Sequence, residues 1–437
     1  MFARSVAVVV AVLVAVAMIP PASGQGSDVP RTGFETSDGA EWTTHEQEIE
    51  FLAEVDRLSR RVRIDVIGET VQKRPLHLVR VGNPSPPSPG AARRRPTVLF
   101  VCSQHGNEPA GREACLQLLR DLAFADDPAT EELLRRNSIL FVPSANPDGR
   151  AANTRENSQG IDINRDHLNL ETNEAKAVAR AVRDWRPEVV LDLHEYGPSI
   201  PAFYDDEVLY LWPRNLNVDG NVHDLAKTLA TDYIAADAVE NGYTADEYGM
   251  YALADQDVHQ SAGDGDEGIL RNTMGLRHSL GVLVETAVTQ DPRNGPDEVT
   301  SEAAVQRRRV ASHMVVSLAT LRFLGERGDE AARTTTAAFK LAISEGKSGS
   351  EPVYFGGADN QEPEEAQVQD PPPCGYNLTA EQANQMKETF SLLGIKAKAS
   401  GGSAYVPMGQ ISEPLIPLLL DERGARHSVA AEAQECA

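Results

Sequence analysis

The sequence predicts an α/β fold: a mixed, mostly parallel sheet flanked by helices on both faces, with a small module appended at the C-terminus. Three observations carry this. From Thr97 onward, short apolar runs alternate with longer segments of helical periodicity, the pattern of a parallel sheet covered on both sides. Past about residue 345 the composition turns rich in Gly, Pro and acidic residues, which ends the main domain. Finally, 437 residues exceed what one average domain needs, so an extra module is easily accommodated.

The elements follow in order. MFARSVAVVVAVLVAVAMIPPASGQG holds one arginine, an apolar run of about fifteen residues, then prolines and small residues, the anatomy of a signal peptide over 1–24. That run is too short for a comfortable membrane span, which needs roughly 20 apolar residues. Residues 25–42 read as a flexible lead. HEQEIEFLAEVDRLS places Ile49, Leu52, Val55 and Leu58 at helical spacing. VRIDVIGET and LHLVRVG alternate as strands do, and NPSPPSPGAARRRP is a loop. Four strand-like runs then stand before helical stretches: TVLFVC, SILFVP, VVLDLHEYG and LGVLVET, the last preceding a helix from about Val299 to Arg327. The main unit is thus expected over 43–330, a linker over 345–373 and a small module over 374–437. In the module YNLTAEQANQMKETFSLLG opens with a Thr-x-x-Gln capping pattern, followed by strand-like AYVPMGQ and the apolar LIPLLLDE.

Export to an oxidising compartment gives the four cysteines meaning. Cys374 and Cys436 share one late segment and are the favoured pair, whereas Cys102 and Cys115 read as buried positions on a strand and a helix. A net charge of −24 repels nucleic acid and anionic membrane. The clusters at Arg93 to Arg95 and Arg307 to Arg309 read as solvated faces. No nucleic-acid partner, and no stable membrane association after signal removal, is expected.

Two segments place a histidine and a glutamate three apart: His45 and Glu48, and His105 and Glu108. Ligand sites in such sheets gather at the carboxyl ends of strands. His105 and Glu108 follow the end of TVLFVC, while His45 and Glu48 belong to the polar first turn of a surface helix. The second pair is therefore the candidate. A catalytic zinc keeps three protein ligands and one position for water, and a His/Glu/His set is a common arrangement. His194, at the end of VVLDLH, supplies the third.

HGNE, NPDG (Asn146 to Gly149), GIDINRD, LDLHEYG and LVET stand in this order, and with them the chain resembles the zinc metallocarboxypeptidase family of the carboxypeptidase A and B type, from about Trp42 to about Arg327. The resemblance implies one Zn2+ held by His105, Glu108 and His194. It implies Asp162 behind the first histidine, fixing its tautomer. Arg155 falls where the family polarises the scissile carbonyl, and Asn164 and Arg165 where it grips the free C-terminal carboxylate of a peptide. Glu285 falls where it keeps its general base.

Two departures accompany these matches. Gly106 and Asn107 stand where the family often has an arginine, and Tyr243, Tyr248 and Tyr251 lie further before Glu285 than its substrate-capping tyrosine, so none is assigned. Arg271 and Arg277 are instead candidates either to touch substrate or to pair with the acidic surface. The expected function is a secreted zinc carboxypeptidase acting on peptides with a free C-terminal carboxylate. A zinc amidohydrolase or endopeptidase acting on cell-wall peptides or acylated amino acids is the alternative, followed by a non-catalytic zinc or peptide-binding module.

Overall fold

The computed structural model describes residues 29–197, 206–253, 256–259, 263–289 and 301–436. The expected signal segment, 1–24, lies outside them. The strands of the main unit are β1 (Val62–Glu69), β2 (Pro75–Val81), β3 (Thr97–Cys102), β4 (Ser138–Val142), β5 (Val189–Tyr196), β6 (Val208–Leu211), β7 (Ala245–Glu247), β8 (Met250–Leu253), β9 (Gln256–His259) and β10 (Leu280–Ala287). Eight of them form one sheet in the order β1-β2-β4-β3-β5-β10-β6-β7, and β8 with β9 makes a separate hairpin. The run β4-β3-β5-β10 at its centre is parallel, and the pairs β1/β2, β2/β4 and β10/β6 are antiparallel.

Every residue of β3 and β4 is buried, as the unbroken apolar runs require of strands covered on both faces. On one face Val98 and Phe100 pack with Leu116 and Leu119 of the helix Pro109–Phe124 and with Val316 and Leu324 of the helix Glu302–Ser348. On the other, Leu99 and Val101 meet Val178, Val182 and Trp185 of Asn173–Trp185 and Met274 of Leu270–Leu276. The apolar stripes at helical spacing are therefore core faces. Among the described residues no helix is long and apolar enough to cross a membrane.

Three expectations need correction. The described part of the lead, 29–42, is not loose: Thr32 caps a helical turn, Phe34 is buried and stacks on Trp42 at 4.9 Å, and Glu35 pairs with Arg120 at 2.6 Å. The helix expected to stop near Arg327 runs to Ser348, where Gly349 at φ 61° closes it. The linker then packs on the main unit, with Phe355 buried and Asp359 accepting from the Trp212 indole at 2.7 Å. Third, Cys102 is bonded to Cys115 as well as Cys374 to Cys436. Burial of the first two had hidden the link, because an apolar position and a buried disulfide look alike in sequence.

The C-terminal module builds a four-stranded sheet from Lys398–Ser400, Ser403–Pro407, Gly375–Leu378 and Glu432–Gln434. It docks on the main unit through His278 to the Ile411 carbonyl (2.8 Å) and Lys176 to Glu388 (3.0 Å).

Candidate metal centre

Register puts the site where it is. Cys102, the last residue of β3, pairs with Leu193, and Glu285 pairs with His194. β5 and β10 therefore end level at Tyr196 and Ala287, β3 stops opposite Leu193, and residues paired across a parallel sheet point to the same face. After β3 the chain turns through Ser103, at φ 55°, and delivers His105 and Glu108 over those ends. Gly106 is required there, since a Cβ on it would lie 1.9 Å from the Gly149 carbonyl carbon. No side chain fits at Gly106, whereas the neighbouring Asn107 is exposed and lines the cavity. The NPDG stretch is the other half of the contact, with Asn146 capping the helix Pro147–Ala152 and donating to the Gln104 carbonyl at 3.0 Å.

His105, Glu108 and His194 are all buried, and their ligand atoms lie within 4.8 Å of one another. The two Nδ1 atoms are 3.0 Å apart, and each faces a Glu108 oxygen, at 2.8 Å from His105 and 3.0 Å from His194. Both imidazoles turn Nε2 outward to a carboxylate: His105 to Asp162 at 3.1 Å, His194 to Asp192 at 3.0 Å. Outward Nε2–H bonds leave an inward lone pair on each Nδ1, so two imidazole lone pairs and a carboxylate converge on one point. That arrangement is repulsive unless a metal ion, or a proton on Nδ1, sits among them. A tetrahedral zinc with bonds of about 2.0–2.1 Å needs ligand-to-ligand edges of about 3.3 Å, close to those observed. The donor set fits zinc.

Asp192 was not singled out in sequence, although its position two before His194 on a strand puts it on the same face. It is fully buried and also accepts from Gln104 Nε2 at 2.7 Å, and Gln104 Oε1 in turn lies 2.6 Å from His167 Nε2. Burial disfavours charge on His194, but Asp192 and Glu108 override it and raise its pKa well above the ordinary value. Burial likewise opposes the ionised form of Glu108, and His105 and His194 hold it well below the usual carboxylate range.

Glu285 is buried with Oε2 lacking a hydrogen-bond partner. Burial pushes its pKa up to about 7; Glu108 adds to the rise, while His194, His105 and Arg155 oppose it. Arg155 spans the site, donating to Asp162 Oδ2 at 3.0 Å and lying 3.5 Å from Glu108 Oε1. These groups open into a cavity of about 470 Å3, lined also by Arg165, Arg271, Tyr248 and Leu283.

Not every expected residue faces that cavity with free donors. Asn164 is 2 % exposed: its Oδ1 accepts from Leu270 N at 2.8 Å, and its Nδ2 lies 3.0 Å from His194 Nε2 and 3.4 Å from Asp192 Oδ2. Asn164 also lines the cavity, with its amide nitrogen held beside the metal ligand. Arg165 does reach the cavity wall and is 39 % exposed. Arg271 also lines the cavity and donates to the Asp264 carbonyl at 3.1 Å, whereas Arg277 points away and donates to the Leu392 carbonyl at 3.3 Å. Tyr248 is on the cavity wall, and Tyr243 is buried beneath Arg308. The other His/Glu pair is dissolved by an ion pair: Glu48, far from being solvated, is buried against Arg112 at 3.1 Å.

Fold and site together define an α/β protein with a His-Glu-His metal centre at the carboxyl edge of its sheet. Residues 48–267 match the Peptidase_M14 zinc carboxypeptidase family, and the chain belongs to it. It is similar to carboxypeptidase 2 of Trichophyton tonsurans, 30% identical over 278 residues, which cover 61% of this chain and 50% of that protein. Carboxypeptidase E of Caenorhabditis elegans is 25% identical over 263 residues, covering 55% and 51%. A crystal structure of a metallo-carboxypeptidase from Burkholderia cenocepacia is 20% identical with a TM-score of 0.49, covering 64% of this chain and 69% of that one. The chain spans about half the length of these curated relatives. Glu285 lies beyond the matched segment.

Proposed function

We propose that the protein is a secreted zinc carboxypeptidase that hydrolyses the last peptide bond of a chain with a free C-terminal carboxylate, using one zinc ion and Glu285 as general base. The observation that carries this reading is the pairing of Glu285 with His194 across adjacent strands, which holds a carboxylate of raised pKa beside the ligand set and facing the same cavity as Arg155 and Arg165. Bound zinc would supply Lewis acidity and a water acidic enough to lose a proton near neutral pH. Glu285 Oε2 takes that proton and returns it to the departing amide nitrogen, a task that suits a carboxyl of pKa about 7. Arg155 donates to the oxygen that gains charge, with Asp162 orienting both it and His105. Arg165 offers a fork to the substrate carboxylate. Secretion is supported by the N-terminal sequence and by the two disulfides, which persist in oxidising compartments.

The test is hydrolysis of paired peptides with free or amidated C-termini, before and after chelation. Metal-dependent release of the last residue from the free acid alone is expected. Equal cleavage of both would move the assignment to an amidohydrolase or endopeptidase. Glu285→Gln is expected to keep zinc bound while losing roughly 100-fold or more in kcat. An active variant would remove Glu285 from the mechanism.

A further inference from the structure

The proposed reading gives Arg165 the substrate carboxylate, yet Arg165 has an acidic neighbour within the protein. Its Nε lies 3.8 Å from Asp266 Oδ2. A carboxylate so close could close into a bidentate pair with Arg165 and occupy the donors that a substrate needs. What prevents this comes from the C-terminal module. Arg426 grips Asp266 with both arms of its guanidinium, Nε to Oδ1 and NH2 to Oδ2, the latter at 2.6 Å. Its remaining arm, NH1, donates to the Arg165 main-chain carbonyl at 2.9 Å. Asp266 Oδ1 also accepts from Gly268 N at 2.8 Å, which fixes the carboxylate from the other side.

The packing leaves no slack for other side chains in this contact. A Cβ on Gly268 would lie 2.5 Å from the Arg165 carbonyl oxygen and 2.6 Å from Arg426 Nε. The segment that carries Arg426 is itself anchored, since Asn169 Nδ2 donates to the Arg426 carbonyl at 2.9 Å and to Ser428 Oγ at 3.1 Å.

We propose that the C-terminal module serves the site through Arg426, a positioning residue that occupies Asp266 and thereby keeps the Arg165 guanidinium available for the carboxylate of the substrate. This rests on the carboxypeptidase reading. It gives the module a part in substrate binding without any contact to the reacting atoms. Its mark is a change in KM with kcat little affected, because the carboxylate grip acts on binding while the ligand set and Glu285 are untouched.

The experiment measures KM and kcat on a free-acid peptide for the zinc-loaded wild type, Asp266→Asn, Arg426→Gln and the double variant. Arg426→Gln is expected to raise KM roughly tenfold, a charge-assisted contact discounted for partial exposure. Adding Asp266→Asn should restore KM to within about threefold of wild type, because the competing carboxylate is gone. Asp266→Asn alone should leave KM unchanged or lower it, and this arm stands even if Arg426→Gln does not fold. If Asp266→Asn raises KM, or the double variant is no better than Arg426→Gln, the pair is merely structural and the proposal is overturned. If the wild type does not distinguish free from amidated peptides, the carboxypeptidase reading falls and this inference falls with it.

Discussion

Asp192→Asn tests the metal centre without relying on turnover. Asp192 is fully buried and accepts from His194 Nε2 at 3.0 Å and from Gln104 Nε2 at 2.7 Å. Both contacts fall on one oxygen, Oδ1, so an amide oxygen placed there can still accept from His194 and from Gln104, while the amide nitrogen takes the place of Oδ2, 3.4 Å from Asn164 Nδ2. The tautomer with an inward lone pair on Nδ1 is then kept. What is lost is the negative charge behind the imidazole, which raises its basicity toward a cation. Replacing an outer partner of a metal-binding histidine typically lowers affinity 10- to 100-fold, or about 1.4 to 2.8 kcal/mol. Titrating the metal-free protein against a chromophoric zinc chelator at fixed pH measures this directly, with circular dichroism confirming the fold. Asp162→Asn, acting on His105 in the same way, should give a similar loss. An Asp192→Asn protein that is folded and binds zinc within twofold of wild type would show that the charge behind His194 does not set the affinity, and the reasoning would fail.

Two further outcomes concern stability. Glu413, in the module, is pushed up to about 8 by burial and by Glu345 on the long helix. Because the folded pKa is raised, its favourable contribution is complete below the unfolded value of about 4.5 and is lost as pH rises to 8, at most about 5 kcal/mol. Glu413→Gln should therefore flatten the fall in urea midpoint between pH 5 and 8, and a variant with the same slope as wild type would exclude Glu413 as the cause. The Cys102–Cys115 bond encloses both His105 and Glu108. Replacing both cysteines by alanine should cost about 3 kcal/mol by the loop-entropy estimate and weaken zinc binding. Unchanged stability and affinity, measured by denaturation and chelator competition, would show that packing alone holds that turn.

The fold was legible because its central strands are apolar throughout and its helices amphipathic, so period and composition coincided with the final layers. The ligand set was legible for a related reason: His105 and His194 stand at the ends of such runs, and strand ends in a parallel sheet converge. For Asn164 the sequence gives a residue type and not the direction of its amide, whose Oδ1 accepts from Leu270 N while the residue lines the cavity. Asp192 carried a signal, its alternation with His194, that strand periodicity could have exposed. Arg426 carried none. It lies far along the chain from Arg165, and nothing local marks a surface arginine as the partner of one particular aspartate. Likewise the long helix overran its expected end because Ala, Thr and Lys after Arg327 are compatible with helix, and only the αL turn at Gly349 stops it.

On the proposed function, a chain of net charge −24 would have to bind a carboxylate against repulsion at long range and would need a local reversal of sign. The cavity supplies it by disposing of its own acids. Glu195 is fully buried against Arg309 at 2.7 Å and accepts from Ala110 N at 2.9 Å, so its charge is spent inside the protein. Glu108 is committed to the ligand set, and burial raises the pKa of Glu285 to about 7, which removes part of its charge near neutral pH. Asp266, at the rim, is taken by Arg426. What remains turned toward the cavity is cationic: Arg155, Arg165 and Arg271. Screening at physiological salt limits the global repulsion to about 8 Å, so within the cavity these near charges outweigh the distant acidic surface. Neutralising the acids one by one, each with a different partner, would let an acidic protein hold an anionic chain end, as the proposed function requires.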